Sequence, residues 1–84
     1  MKYKPFKMGG MDLLMGTYKG VTMSLAEFPD AVSIYSVESS NPDKGECQEA
    51  ILELKKKYET VYASIPLNPK IKHIFDKLLI IYKE

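Results

Sequence analysis

With 84 residues, 45% hydrophobic and 27% charged, the chain is too apolar for a disordered polymer and short enough for a single domain. Twelve basic residues against 11 acidic ones leave a formal charge of +1, which offers no bulk attraction for nucleic acid. A single cysteine excludes an internal disulfide, and no apolar run reaches the length of a membrane span.

The N-terminus lacks a secretory apolar stretch, so a soluble chain in the cytoplasm is the expectation. A chain of this length buries only about 60% of the surface its unfolded form exposes, which makes modest stability and self-association natural.

Residues 1–10, MKYKPFKMGG, bring three lysines, a proline and a Gly-Gly pair. They read as a loose arm or an edge strand, ahead of one domain over residues 11–84. Met11 to Tyr18 is apolar-rich, with Gly16, Lys19 and Gly20 supplying turn character. Val21, Met23 and Leu25 then alternate with Thr22 and Ser24, the period of a half-buried strand. Phe28-Pro29-Asp30 is a turn, and Val32, Ile34 and Val37 among Ser33, Ser36 and Glu38 make a further strand. The first half is thus an antiparallel meander. Its five methionines within 23 residues read first as core fill, with an adaptable binding surface as the alternative.

Ser39 to Lys44 is a polar loop ending at Gly45. Two Asn-Pro pairs, Asn41-Pro42 and Asn68-Pro69, mark matching starts for two helices. An Asn side chain accepts from orphan amides, and proline at the first helical position has no amide to leave unsatisfied. The first helix carries Cys47, Ala50, Ile51, Leu54 and Tyr58 as one apolar stripe. Its other face sets Glu49 with Lys56 and Glu53 with Lys57 as surface pairs, and Lys55-Lys56-Lys57 reads as a solvated helix end.

Thr60 to Ile65 is a strand closed by Pro66. Ile71, Ile74, Phe75 and Leu78 line one face of the other helix, and Leu79 to Tyr82 is a last strand. Helical crossovers make the strands at 32–38 and 60–65 parallel. The expected fold is α/β (α+β), a mixed sheet in the order β-β-β-α-β-α-β with an N-terminal antiparallel meander and a parallel central pair.

Gly45 is the leading ligand candidate, because without a β-carbon the amides of Gly45, Glu46 and Cys47 can approach a phosphate at a helix start. Lys44 adds positive charge there, offset by Asp43 and Glu46. The alternative is that Gly45 relaxes a tight turn. Glu38, at the end of the strand entering this loop, is the candidate general base, and a useful base needs its pKa moved by burial or a neighbouring charge. A solvated strand-end carboxylate is the plainer reading. Cys47 lies on the apolar stripe and reads as buried and inert. His73 has no partner at ligand spacing, so no metal site is expected.

These elements and letters resemble the GCN5-related N-acetyltransferase fold over about Val21 to Glu84, and also the short acetyltransferase-like proteins of tailed phages. The family's pyrophosphate loop has Arg or Gln, two free positions, Gly, one free position, then Gly or Ala. Here the loop reads Pro42, Asp43, Lys44, Gly45, Glu46, Cys47, and Gly45 agrees. The family's last helix opens on Asn, with Ala, Tyr, Lys and Gly-Phe following. Here Asn68 and Lys77 agree, Ile71 and Leu79-Ile80 differ, and Phe75 keeps the ring without the hydroxyl.

The resemblance implies acetyl-CoA between the two parallel strands, held by Lys44, Gly45, Glu46, Cys47 and Asn68, with transfer to an amine. The family's Tyr commonly protonates the departing thiolate, which Phe75 cannot do. The helices that form the family's acceptor wall have no room in this chain, and a homodimer is one way to replace them.

Three functions stay open on the sequence. The first is an acyl-CoA N-acyltransferase. The second is a non-enzymatic regulatory or protein-interaction module on the same scaffold. The third is nucleic-acid binding through Lys2, Lys4, Lys7, Lys70, Lys72 and Lys77, disfavoured by the near-neutral charge.

Overall fold

The computed structural model describes residues 1–40, 45–64, 66 and 68–82. In chain order it has β1 (Lys2–Met8), β2 (Met11–Tyr18), β3 (Val21–Glu27), β4 (Ala31–Ser39), α1 (Glu46–Lys57), β5 (Thr60–Ala63), α2 (Pro69–Lys77) and β6 (Ile81–Tyr82). The strands form one six-stranded sheet in the order β1-β2-β3-β4-β5-β6. The first four are antiparallel neighbours, and β5 and β6 add on in parallel, each after a helix. The fold is a small α+β domain with a mixed sheet and, among the described residues, two helices.

The N-terminal ten residues form an edge strand rather than a loose arm. Lys2 to Met8 pairs along β2 from Lys2 opposite Thr17 to Met8 opposite Met11. Gly9 and Gly10 both take positive φ, 57° and 81°, as a two-residue type I′ turn demands. Pro5 sits in this edge strand, where a missing donor costs the ladder least and discourages pairing with a further chain. The observed order is therefore β-β-β-β-α-β-α-β.

One face of the sheet carries both helices. Val21, Met23 and Leu25 of β3, with Val32 and Ile34 of β4, pack against Cys47, Ala50, Ile51, Leu54 and Tyr58 of the α1 stripe. Val61, Ala63, Phe75 and Ile80 complete this core, with Tyr3, Leu14, Ile71, Ile74 and Leu78 around it. Gly16 belongs to β2 and is no turn residue. A β-carbon there would meet Met1 Sδ at 3.0 Å and Leu25 Cδ1 at 3.2 Å, so a larger residue fits only if those two side chains shift by a few tenths of an ångström.

Further corrections concern the helix boundaries. The residue capping α1 is Gly45 with φ 72°, and it makes no side-chain cap bond. Helix α1 therefore starts at Glu46, four residues past Pro42, and the Asn41-Pro42 pair itself lies outside the described residues. Strand β5 ends at Ala63, with Ile65 outside the described residues, and β6 is only Ile81–Tyr82, because Leu79 and Ile80 are used to stop α2. Glu49 pairs with Lys19 at 2.8 Å rather than Lys56, and Glu53 takes Lys56 at 3.0 Å rather than Lys57. A contact from the β2–β3 turn thus takes Glu49, while Glu53 pairs within the helix at the i,i+3 spacing.

Helix α2 opens as its sequence predicts. The Asn68 Oδ1 accepts from the Lys70 amide at 2.9 Å, and Pro69 occupies the first turn.

Candidate functional site

A bulge in β4 builds the site. Ser24 lies opposite Ser36 and Leu25 opposite Ile34, so Tyr35 is an extra residue on β4. Such an insertion bends its strand and increases local twist. Ile34 and Val37, three apart, consequently both reach the helix-bearing side. Ala31 to Ile34 pair with Thr60 to Ala63 of β5, and there the pairing stops. Beyond Ile34, β4 runs on along β3 while β5 leaves for α2. From Tyr35 to Glu38 it has no strand partner on that side among the described residues.

A cleft of about 540 Å³ occupies the gap. The outer half of β4 forms one side, and Ile71 and Phe75 of α2 form an apolar wall opposite. Glu38, Ser64 and Asn68 bring polar groups to it. A second cavity of about 560 Å³ lies against Met8, Ser24, Phe28 and Ser33. The two share Tyr35, Ser36 and Ser64, so they meet at the bulge. Ser24 and Ser33 alternate with the core residues Met23, Leu25, Val32 and Ile34, which places this second cavity on the sheet face that bears no helix.

Of the residues expected from the sequence, Glu38 and Asn68 come together at the cleft. Gly45, Glu46 and Cys47 do not line it, and Lys44 lies outside the described residues. The left-handed backbone of Gly45 alone accounts for glycine there, although a β-carbon would meet nothing within 4 Å and the surrounding space is open. Cys47 is buried in the core, and burial pushes its thiol pKa up, which leaves it a poor nucleophile. Glu38 is an exposed carboxylate at the mouth of the cleft.

Phe75 is almost fully buried at the cleft wall, its ring centroid 6.4 Å from that of Tyr82. The Tyr82 hydroxyl donates to Asp76, and burial together with that carboxylate pushes its pKa up to about 12. The Tyr82 hydroxyl is therefore committed to Asp76. Sequence reasoning missed Tyr35, Ser36 and Ser64. A serine-rich strand carries no mark of a bulge, and the alternation of β4 survives on either side of it.

Two of the lysines considered for nucleic acid pair with carboxylates at the surface, Lys7 with Asp12 at 3.8 Å and Lys72 with Asp76 at 2.8 Å. Among the described residues, no three His, Cys, Asp or Glu side chains gather as a metal site. No described helix is long and apolar enough to cross a membrane. Comparison with protein families, curated proteins and solved structures finds no match for the chain.

Proposed function

We propose that this chain is an acetyltransferase-like protein, related to the GCN5-related N-acetyltransferases, whose β4–β5 cleft holds the acyl end of acetyl-CoA beside an acceptor amine. The observation that carries this reading is the parting of two parallel strands at a bulge, which leaves a backbone edge open inside a cleft. A pantetheine arm bears amides at intervals and can dock along such an edge as an added strand docks on a sheet.

The amine nitrogen attacks the thioester carbonyl, a C–N bond forms, the C–S bond breaks and the thiolate departs. Glu38 is placed to accept the proton released by nitrogen. With Phe75 at the wall the ring there has no hydroxyl to protonate the leaving sulfur, which leaves that proton to the weakly acidic serines of the cleft or to water, so turnover is slow. Phe75→Tyr raises it, by roughly ten-fold where general-acid help is limiting.

The test is a titration of acetyl-CoA into isotope-labelled protein. The expected result is a saturable set of amide shifts at Ser36, Val37, Glu38 and Asn68. An unchanged spectrum at millimolar acetyl-CoA sinks the proposal.

A second reading rests on its own observation. Met8, Met11 and Met15 are 56%, 44% and 36% exposed around the first hairpin, which suits a non-enzymatic interaction module that meets a protein partner or a second copy. An unchanged acetyl-CoA spectrum favours it.

A further inference from the structure

We infer that the groove on the helix-free face is the acceptor site and that it takes a neutral aromatic amine. This rests on the acetyltransferase reading for the reaction, though not for the choice of ligand. The groove meets the cleft at Tyr35, Ser36 and Ser64, so a molecule seated in it reaches a thioester in the cleft through the gap between β4 and β5.

Its lining decides the class of molecule. Met8, Phe28 and Tyr35 offer a thioether and two rings, and among the described residues every other side chain on it is a serine. Thioether–ring and ring–ring contacts favour an aromatic body, and the hydroxyls of Ser24 and Ser33 serve a polar substituent.

Among the described residues no lining residue is charged. An alkylammonium would lose water there without gaining a counter-ion, a cost that selects the neutral amine. Glu38 lies two residues past Ser36 and lines the cleft but not the groove. It is positioned to take a proton at the junction rather than to hold a cation in the groove.

Aromatic amines are neutral at pH 7 and already nucleophilic, so they need no strong base. In the step itself the aryl nitrogen bonds to the acetyl carbon, the C–S bond breaks, and the proton lost by nitrogen passes through Glu38 to the thiolate or to water.

Two isomers separate the classes, 4-methylaniline, neutral at pH 7, and benzylamine, cationic at that pH. Each is titrated into the full chain while the Met8 methyl and the amides of Ser24, Ser33 and Tyr35 are followed. We expect 4-methylaniline to shift these signals saturably and benzylamine to bind at least about ten-fold more weakly. Ser33→Lys should weaken 4-methylaniline by about ten-fold, and Phe28→Ala, at an exposed position, serves if that variant does not fold.

Equal or tighter binding of benzylamine overturns the inference, as do shifts confined to other parts of the fold. Acetyl-CoA binding in the cleft with an empty groove also overturns it and leaves the acetyltransferase reading standing. Aniline binding without acetyl-CoA shifts upholds the ligand class and removes the acetyltransferase reading.

Discussion

Among the described residues Leu79, like Lys19, takes a left-handed backbone without being glycine. Its φ is 59°, a left-handed conformation in which a side chain crowds the following carbonyl. The position is forced by how α2 ends. The Ile80 amide donates to the Phe75 carbonyl at 3.0 Å and the Leu79 amide to that of Asp76 at 3.3 Å, the double bond pattern of a Schellman stop. Glycine takes that position without strain. Leucine gains little packing in exchange, since it is 80% exposed. Leu79→Gly should therefore stabilise the fold by roughly 0.5–1 kcal/mol, the relief of left-handed strain less the extra entropy of an unfolded glycine. A lowered midpoint in thermal unfolding would show that the leucine side chain contributes more than its exposure allows.

Among the elements, β4 decides what the protein can do, because it is held on two sides at one end and on one side at the other. Ala31 to Ile34 sit between β3 and β5, whereas Tyr35 to Glu38 rest on β3 alone among the described residues. Gap-facing amides of the outer half should exchange with solvent faster than the inner ones, by about a hundred-fold or more, since local opening free energy falls with lost partners. Acetyl-CoA should slow them if it docks as an added strand. Uniform protection along β4 in native-state exchange would contradict the parting of the strands.

Sequence reasoning could see β4 itself, and also β3, the α1 stripe and the capped start of α2, because period and caps are local signals. It could not see the bulge, which is a statement about register with β3. Nor did it settle β1, whose lysines and Pro5 look like loop until β2 supplies a partner. The start of α1 misled for a related reason. Asn-Pro is a good helix opening, but here Gly45 takes the cap.

At the scale of the whole molecule, one layer of helices must be fixed to one face of a sheet by a core that a chain of this length keeps small. Polar ties at both ends of α1 supplement it. At its start, Glu49 meets Lys19 of the β2–β3 turn at 2.8 Å and the Tyr18 hydroxyl at 3.4 Å. At its end, the Tyr58 hydroxyl donates to Glu27 of β3 at 2.5 Å.

These ties give stability a pH window. The hydrogen bond and charge of Lys19 hold the Glu49 carboxyl below its ordinary 4.5, so that contribution is whole above this value and is lost as pH falls below it and through the lowered folded-state value. Burial first, and then the Glu27 carboxylate, push the Tyr58 hydroxyl well above its ordinary 10.0. That contribution is whole below pH 10 and is lost as pH rises beyond it, because the unfolded phenol ionises first. Tyr58 should therefore contribute to the alkaline limb, together with Tyr3, Lys19 and Tyr82, whose pKa values are also raised. Urea unfolding at neutral pH and at about pH 11 should show a marked loss of stability for the natural chain, and Tyr58→Phe should lose clearly less between the same two conditions. An equal loss in both proteins would place the alkaline weakness elsewhere, with Tyr82, whose pKa of about 12 also lies above the ordinary range, as the next residue to replace.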